Sequence, residues 1–210
     1  MVAEGEHLVG NHLVEFIEVM RRLRAECPWK AEQTHRSLAR YLLEETHETL
    51  EAIDSGDADH LREELGDLLL QIYFHAAIAS EAGEFTIDDV AAGLIEKMRR
   101  RNPHVFGSST TDLTSAQVND QWQQAKADEK QRSSVTDGLP PGLPALLYAD
   151  KVLDRLARSG SEARAARTST SGGELGERLL DLVREARAEG VDPEQALRDA
   201  VRREIAVTEG

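Results

Sequence analysis

Residues 36–54, RSLARYLLEETHETLEAID, and residues 61–67, LREELGD, decide how this chain folds and where its chemistry lies. In the first stretch Leu38, Leu42, Ala52 and Ile53 recur at helical spacing and predict one buried arc. At 100° per residue Glu45 falls inside that arc, roughly 20° from Leu38, and Glu48 sits at its edge, about 80° away. In the second, Leu61, Leu65, Leu68, Ile72 and Ala76 define the buried face, with Glu64 bordering it at roughly 60° from Leu61 and Asp67 on the same flank. Glu51 and Glu63 point away and read as solvated. Between the two stretches stands the turn signal Ser55-Gly56-Asp57, so the two helices return on each other and can offer four acids to one space. Carboxylates in a partly buried space repel and resist ionisation unless a cation joins them. The donors are all oxygen, with no His or Cys at ligand spacing, which selects Mg²⁺ or Mn²⁺ over Zn²⁺.

The same periodicity extends along the chain. Residues 9–25 predict a helix that Pro28 ends, and Asp59 to Ala82 predict another. Thr86, with Asp89 three residues on, starts a helix that Asn102-Pro103 stops at Arg101. Short connections join these four helices into a predicted antiparallel bundle of an all-α protein. The polar loop GSSTTDLTS follows, then a helix over 116–130. Residues 1–132 are thus expected to form the principal domain, 133–160 a linker with a connecting helix, and 161–210 a shortened helical extension. Within the linker, SSVTDGLPPGLP is rich in turn formers, and SGSEARAARTSTSGG reads as flexible. The final helical pair, near 174–189 and 193–207, opens on an echo of the acidic motif, Glu174-Leu175-Gly176-Glu177.

Composition narrows the function. Aromatic residues make up 4% of the chain and Ala, Leu, Glu and Arg dominate, which favours helices. The net charge of -14 argues against long nucleic acid, whose backbone calls for clustered cations, yet is compatible with a small phosphorylated ligand held through a divalent ion. One cysteine, Cys27, allows no intramolecular disulfide. The first ten residues lack a secretory pattern, and the longest apolar run, Leu68 to Ala79, is too short for a bilayer, so a soluble, cytoplasmic protein without membrane contact is expected.

Lys97 and Arg101 share a face four residues apart and could grip a polyphosphate, although cations in a last helical turn also answer the macrodipole. Trp122 and Lys126 repeat that spacing and would suit base stacking and phosphate contact, or simple anchoring of a helix. Trp29 after Cys27-Pro28 carries the same two readings.

Three further runs, CPWKAEQTHRSLARYLLEETHETLEAI, LREELGDLLLQIYFHA and EKMRRRNPHVFG, resemble the signature of the MazG family almost throughout residues 11–107. The EExxE and ExxD pair is shared with other all-α pyrophosphohydrolases, whereas CPW with EQTH and NPHVF narrow the resemblance to MazG. It implies a dimeric bundle in which Glu45, Glu48, Glu64 and Asp67 carry Mg²⁺, with Glu44 as a further ligand or a base orienting water. It also implies that Lys97, Arg100, Arg101, Trp122 and Lys126 serve nucleotide binding or turnover. The expected reaction is the hydrolysis of a nucleoside triphosphate to NMP and diphosphate, a metal-activated water attacking the α-phosphorus. Sister enzymes acting on dUTP or phosphoribosyl-ATP, and a metal-binding helical protein without activity, remain as alternatives. Lys30 departs from the family, which usually has Asp after CPW, and residues 161–210 resemble a second domain without an EExxE helix, hence a non-catalytic one.

Overall fold

The computed structural model describes residues 11–107, 113–130, 134–159 and 171–209, and every regular element among them is a helix. Residues 1–10, most of GSSTTDLTS and most of SGSEARAARTSTSGG lie outside the described residues. The contacts divide the chain into two compact units, Met1–Trp122 and Gln123–Gly210.

The first unit begins with α1 (Asn11–Glu26) and the single turn α2 (Pro28–Ala31). Pro28 stops α1, as its missing N–H and ring require, and then serves as the first residue of α2, a turn that periodicity does not announce. Next comes α3 (His35–Ser55), whose start is fixed by a capping box. The Ser37 amide donates to Thr34 Oγ1 at 3.1 Å, and the Thr34 amide donates to Ser37 Oγ at 2.9 Å. At its end Gly56 takes φ 71°, a left-handed conformation that glycine adopts without penalty. Asp57 then caps α4 (Ala58–Glu81) by accepting the amides of Asp59 and His60 at 2.9 and 3.2 Å. Two residues thus reverse the chain and lay α4 along α3, its main packing partner. Thr86 and Asp89 form the expected capping box at the start of α5 (Ile87–Arg101), and α6 (Pro103–Phe106) and the first part of α7 (Ser115–Lys130) follow.

The core joins α1, α3 and α4 through Met20, Leu38, Tyr73 and Phe74. Each such side chain contributes about 1.5–3 kcal/mol by leaving water. Phe16 packs against Tyr73 with ring centroids 5.0 Å apart, and the Tyr73 hydroxyl donates to the Leu13 carbonyl at 3.1 Å. Arg24 fastens the ends: its buried guanidinium pairs with Glu81 at 2.5 Å and donates to the carbonyls of Lys30, Ala31 and Gln33.

Two predicted faces need correction. On α3 the buried residues are Leu38, Thr49 and Ala52, while Leu42 and Ile53 are exposed, so the buried arc is centred near Glu45 itself. On α4 the buried set is Glu64, Gln71, Tyr73, Phe74, Ala76 and Ala79, while Leu65 and Ile72 are exposed. The physical reason is that α4 packs against α3 on one side and α1 on the other, which selects a polar stripe for the α3 seam over the most apolar one.

In the second unit α8 (Ala145–Arg158), α9 (Ser171–Ala188) and α10 (Pro193–Glu209) pack pairwise around Val183. The α8 segment, read from sequence as a connecting helix, is held to α9 by Arg187, which reaches Asp150 at 2.5 Å and Asp154 at 3.2 Å. Arg155 donates to the carbonyls of Val135 and Asp137.

His35 and His75 tie the start of α3 to α4 through Nδ1 atoms 2.7 Å apart, and their ring planes differ by 2°. The 2.7 Å contact between the two Nδ1 atoms is a hydrogen bond in which one ring donates and the other accepts. Burial, then the neighbouring His35, holds the His75 imidazole below its ordinary pKa. Stability from this pair is therefore complete above about pH 6.5, the unfolded value, and is lost as pH falls toward the folded value. Thermal melts from pH 7.5 down to 5.5 are expected to show a declining midpoint for the native chain and a flatter dependence for His75→Phe; equal slopes would contradict the assignment.

Candidate metal centre

The α3–α4 seam brings the predicted acids together. One carboxylate oxygen from each of Glu45, Glu48 and Glu64 lies within 4.8 Å of the other two. Among the described residues this is the one group of three or more acids, histidines or cysteines so arranged. Glu45 and Glu48 stand three residues apart on α3, and Thr49 steadies that turn by donating to the Glu45 carbonyl at 2.7 Å. Glu64 projects from α4 and is 9% exposed. Its Oε1 lies 3.3 Å from His60 Nε2, and its Oε2 has no hydrogen-bond partner.

Charge is concentrated here beyond what the protein itself neutralises. Burial, then the charges of Asp67 and Glu48, a hydrogen bond with Glu48 and the charge of Glu64 push the Glu45 carboxyl above the ordinary range. Asp67 is thus close enough to act on the group, although it is not among the three whose oxygens converge. An orphaned, buried carboxylate oxygen beside acids whose charges raise the pKa of Glu45 fits a hard divalent cation, which takes oxygen ligands and supplies the missing charge. Glu44 is exposed next to the cluster, and Glu51 and Glu63 are exposed as expected.

The other predicted residues are placed less closely. Lys97 and Arg100 are exposed near the end of α5, which packs on α4 and α6, whereas α3 packs mainly on α4. Arg101 is 7% exposed, and its guanidinium lies 5.1 Å over the Trp122 ring, so that pair fastens the middle of α7 to the end of α5. Lys126, four residues further on, lies past the boundary between the two units. Trp29 is 49% exposed and meets Tyr41 edge-on at 6.0 Å. Lys30 sets its ammonium over the rings of Trp29 and Phe74, at 5.4 and 5.3 Å, which gives the departure after CPW a local packing role. Sequence reasoning passed over His60 and Gln71. The first could have been found from its place four residues before Glu64, the second from its place seven residues after it.

Residues 33–106 match the MazG nucleotide pyrophosphohydrolase domain, a window that holds all four acids together with Lys97, Arg100 and Arg101 and leaves out Trp29, Trp122 and Lys126. A nucleoside triphosphate pyrophosphohydrolase/pyrophosphatase MazG from Thermotoga maritima is 39% identical over 90% of this chain and 81% of its own length. An uncharacterised 26.1 kDa protein from Streptomyces cacaoi is 46% identical over 92% of this chain and 79% of its own. The nucleoside triphosphate pyrophosphohydrolase of Mycobacterium tuberculosis is 50% identical over 73% of this chain, which spans 47% of that protein's length. The chain belongs to the MazG family.

If the buried acids lack a counter-charge, a cation that binds them should stabilise the fold. At about a hundredfold excess over its Kd a divalent ion raises stability by about 2.7 kcal/mol. The melting midpoint of the native chain in chelator is expected to rise on adding Mg²⁺ or Mn²⁺. Glu64→Gln is expected to melt higher than the native chain in chelator and to show no rise. A rise of equal size in both proteins would place the ion elsewhere.

Proposed function

We propose that this chain is a nucleoside triphosphate pyrophosphohydrolase, converting NTP and water to NMP and diphosphate, with Mg²⁺, or Mn²⁺ in its stead, held by Glu45, Glu48, Glu64 and Asp67. The observation that carries this reading is the convergence of one carboxylate oxygen from each of Glu45, Glu48 and Glu64, with the Oε2 of Glu64 buried and unpartnered. The domain match over residues 33–106 and the names borne by the Thermotoga and Mycobacterium relatives support the choice of substrate. No helix among the described residues is long and apolar enough to cross a membrane, and we take the substrate to be drawn from the cytoplasmic nucleotide pool.

Bound at these carboxylates, a divalent cation would supply charge to offset that of the triphosphate and would lower the pKa of a water. The water oxygen bonds to the α-phosphorus, and the bond from that phosphorus to the α,β-bridging oxygen breaks. Diphosphate departs with the electron pair, one water proton passes to a carboxylate, and the other remains on the NMP phosphate until it ionises. Glu44, exposed beside the cluster, is suited to orient the water and accept its proton. Lys97 and Arg100 are suited to steady the leaving diphosphate, with Arg101 as their buried anchor. Trp29 and Trp122 are the further nucleotide contacts of this reading within the first unit.

Two corollaries concern assembly. Exposed apolar side chains on three helices, among them Leu43, Leu65, Ile72, Leu94 and Ile95, support a homodimer, because so much exposed apolar surface calls for a cover. In the second unit Glu174 is exposed, and no acidic cluster is found among its described residues, which supports a non-catalytic role for residues 161–210.

Incubation with a panel of canonical nucleotides, dUTP and phosphoribosyl-ATP is expected to yield NMP and diphosphate from nucleoside triphosphates in the presence of Mg²⁺. Orthophosphate as the sole released product would contradict attack at the α-phosphorus. Glu48→Gln and Asp67→Asn are each expected to lower kcat at least about a hundredfold with unchanged helicity by circular dichroism. Near-normal turnover in either would remove that residue from the site. Conversely, the pair Glu174→Ala and Glu177→Ala is expected to leave kcat/KM within about twofold, since surface changes away from a site act weakly; a folded but inactive protein would overturn the non-catalytic reading.

A further inference from the structure

Gln71 on α4 is 5% exposed, and its Oε1 is buried with no hydrogen-bond partner. A carboxamide so placed lowers stability relative to a methionine or leucine of similar size, because its desolvation is not repaid. Packing alone therefore does not account for it. Its position is informative. Gln71 lies within about 20° of Glu64 around the helix and one turn beyond Asp67, about 6 Å along the axis. The antiparallel register that sets Glu48 beside Glu64, and His35 beside His75, leaves Gln71 between those two contacts, across from the Leu38–Tyr41 turn of α3. On that same turn, Tyr41 meets the half-exposed Trp29. At the opposite end the hairpin closes in the tight Gly56-Asp57 turn. From the carboxylates outward, the seam thus reaches a lone amide oxygen and two aromatic rings.

We propose that Gln71 reads the nucleoside portion of the substrate, its Oε1 accepting a hydrogen bond from a sugar hydroxyl or a base N–H. This rests on the nucleotide reading given above. The polyphosphate is not the partner, because ionised phosphate oxygens are acceptors and have no proton to give an amide oxygen. The partner is a neutral donor, and it lies on the side of the cluster where a nucleoside would extend if its phosphates sat on the carboxylates. Gln71 thereby separates the two parts of the ligand: the acids hold charge, and the amide tests for a donor one helical turn away.

The test is calorimetric binding of an α,β-methylene NTP and of inorganic tripolyphosphate, both with Mg²⁺, to the native chain and to Gln71→Met. The expected result is nucleotide binding about tenfold weaker in the variant, tripolyphosphate binding unchanged, and a higher melting midpoint. Comparing ribo-, 2′-deoxyribo- and base-substituted analogues then assigns the donor, since a loss confined to ribonucleotides marks the 2′-hydroxyl and a loss that follows the base marks its edge. Equal nucleotide binding by both proteins would mean that Oε1 holds only an ordered water, and the inference fails. It fails also if both ligands weaken alike, which marks a disturbed seam, or if the native chain binds nucleotide no tighter than tripolyphosphate. Should Gln71→Met not fold, Gln71→Asn, which withdraws the same amide by one methylene, is read by the same criteria. A native chain that shows the expected binding pattern yet leaves a hydrolysable NTP intact would refute the hydrolase reading while supporting the role of Gln71.

Discussion

Like charge confined to a helix seam is the constraint around which this unit is organised. Glu45, Glu48 and Glu64 present oxygens within 4.8 Å of one another, and Asp67 adds its field. At an effective dielectric constant near 20, two unit charges 4 Å apart repel by about 4 kcal/mol, and less where a group such as Glu48 meets solvent. Something must hold α3 and α4 together against that force. The apolar contacts of Leu38, Phe74 and Ala52 do so on either side of the acids, and the two-residue reversal at Gly56-Asp57 leaves the helices little freedom to separate. The residual strain is what gives a cation its purchase, since binding one converts repulsion into attraction at the same atoms.

The rest of the unit keeps that hairpin in place from outside. Arg24 is the central fastening, because one guanidinium satisfies three carbonyls of the turn before α3 and pairs with Glu81 at the end of α4. Glu81 is half exposed, so the pair alone contributes little, while the carbonyl contacts, two of them part-buried, fix where α3 begins. The position of α3 in turn sets the height of Glu45 against Glu64. A stability element at the far end of the helices therefore bears on a spacing of a few ångströms at the acids.

Much of this was legible in the sequence, and the exceptions share a cause. The long helices, the Thr86 cap, the turn at Gly56 and the inward phase of Glu45 all follow from local rules, because capping and periodicity act within a few residues. The buried faces were misjudged where apolar residues outnumbered the positions the core could take. Leu42, Ile53, Leu65 and Ile72 continue the helical pattern but lie exposed, while Glu64 and Gln71 take the seam. A hydrophobicity pattern assumes that the most apolar stripe is buried, and that assumption fails when the buried stripe is selected for a polar site and a second apolar stripe is left for another surface. Trp29 and Trp122 were equivalent in sequence and differ in structure, since the ring of one is half exposed beside Tyr41 and the other lies under Arg101.

That difference also separates the roles of the cations. A guanidinium buried against an indole has already lost its hydration, and withdrawing it to meet a ligand would forfeit the ring contact as well. Arg101 is therefore best suited to fixing the end of α5, whereas Lys97 and Arg100, on the turn it fixes, are exposed to solvent. The acids divide in the same way: Glu64 is buried and fixed, Glu48 is exposed and adaptable, and Glu45 between them bears most of the conflict, as its raised pKa records.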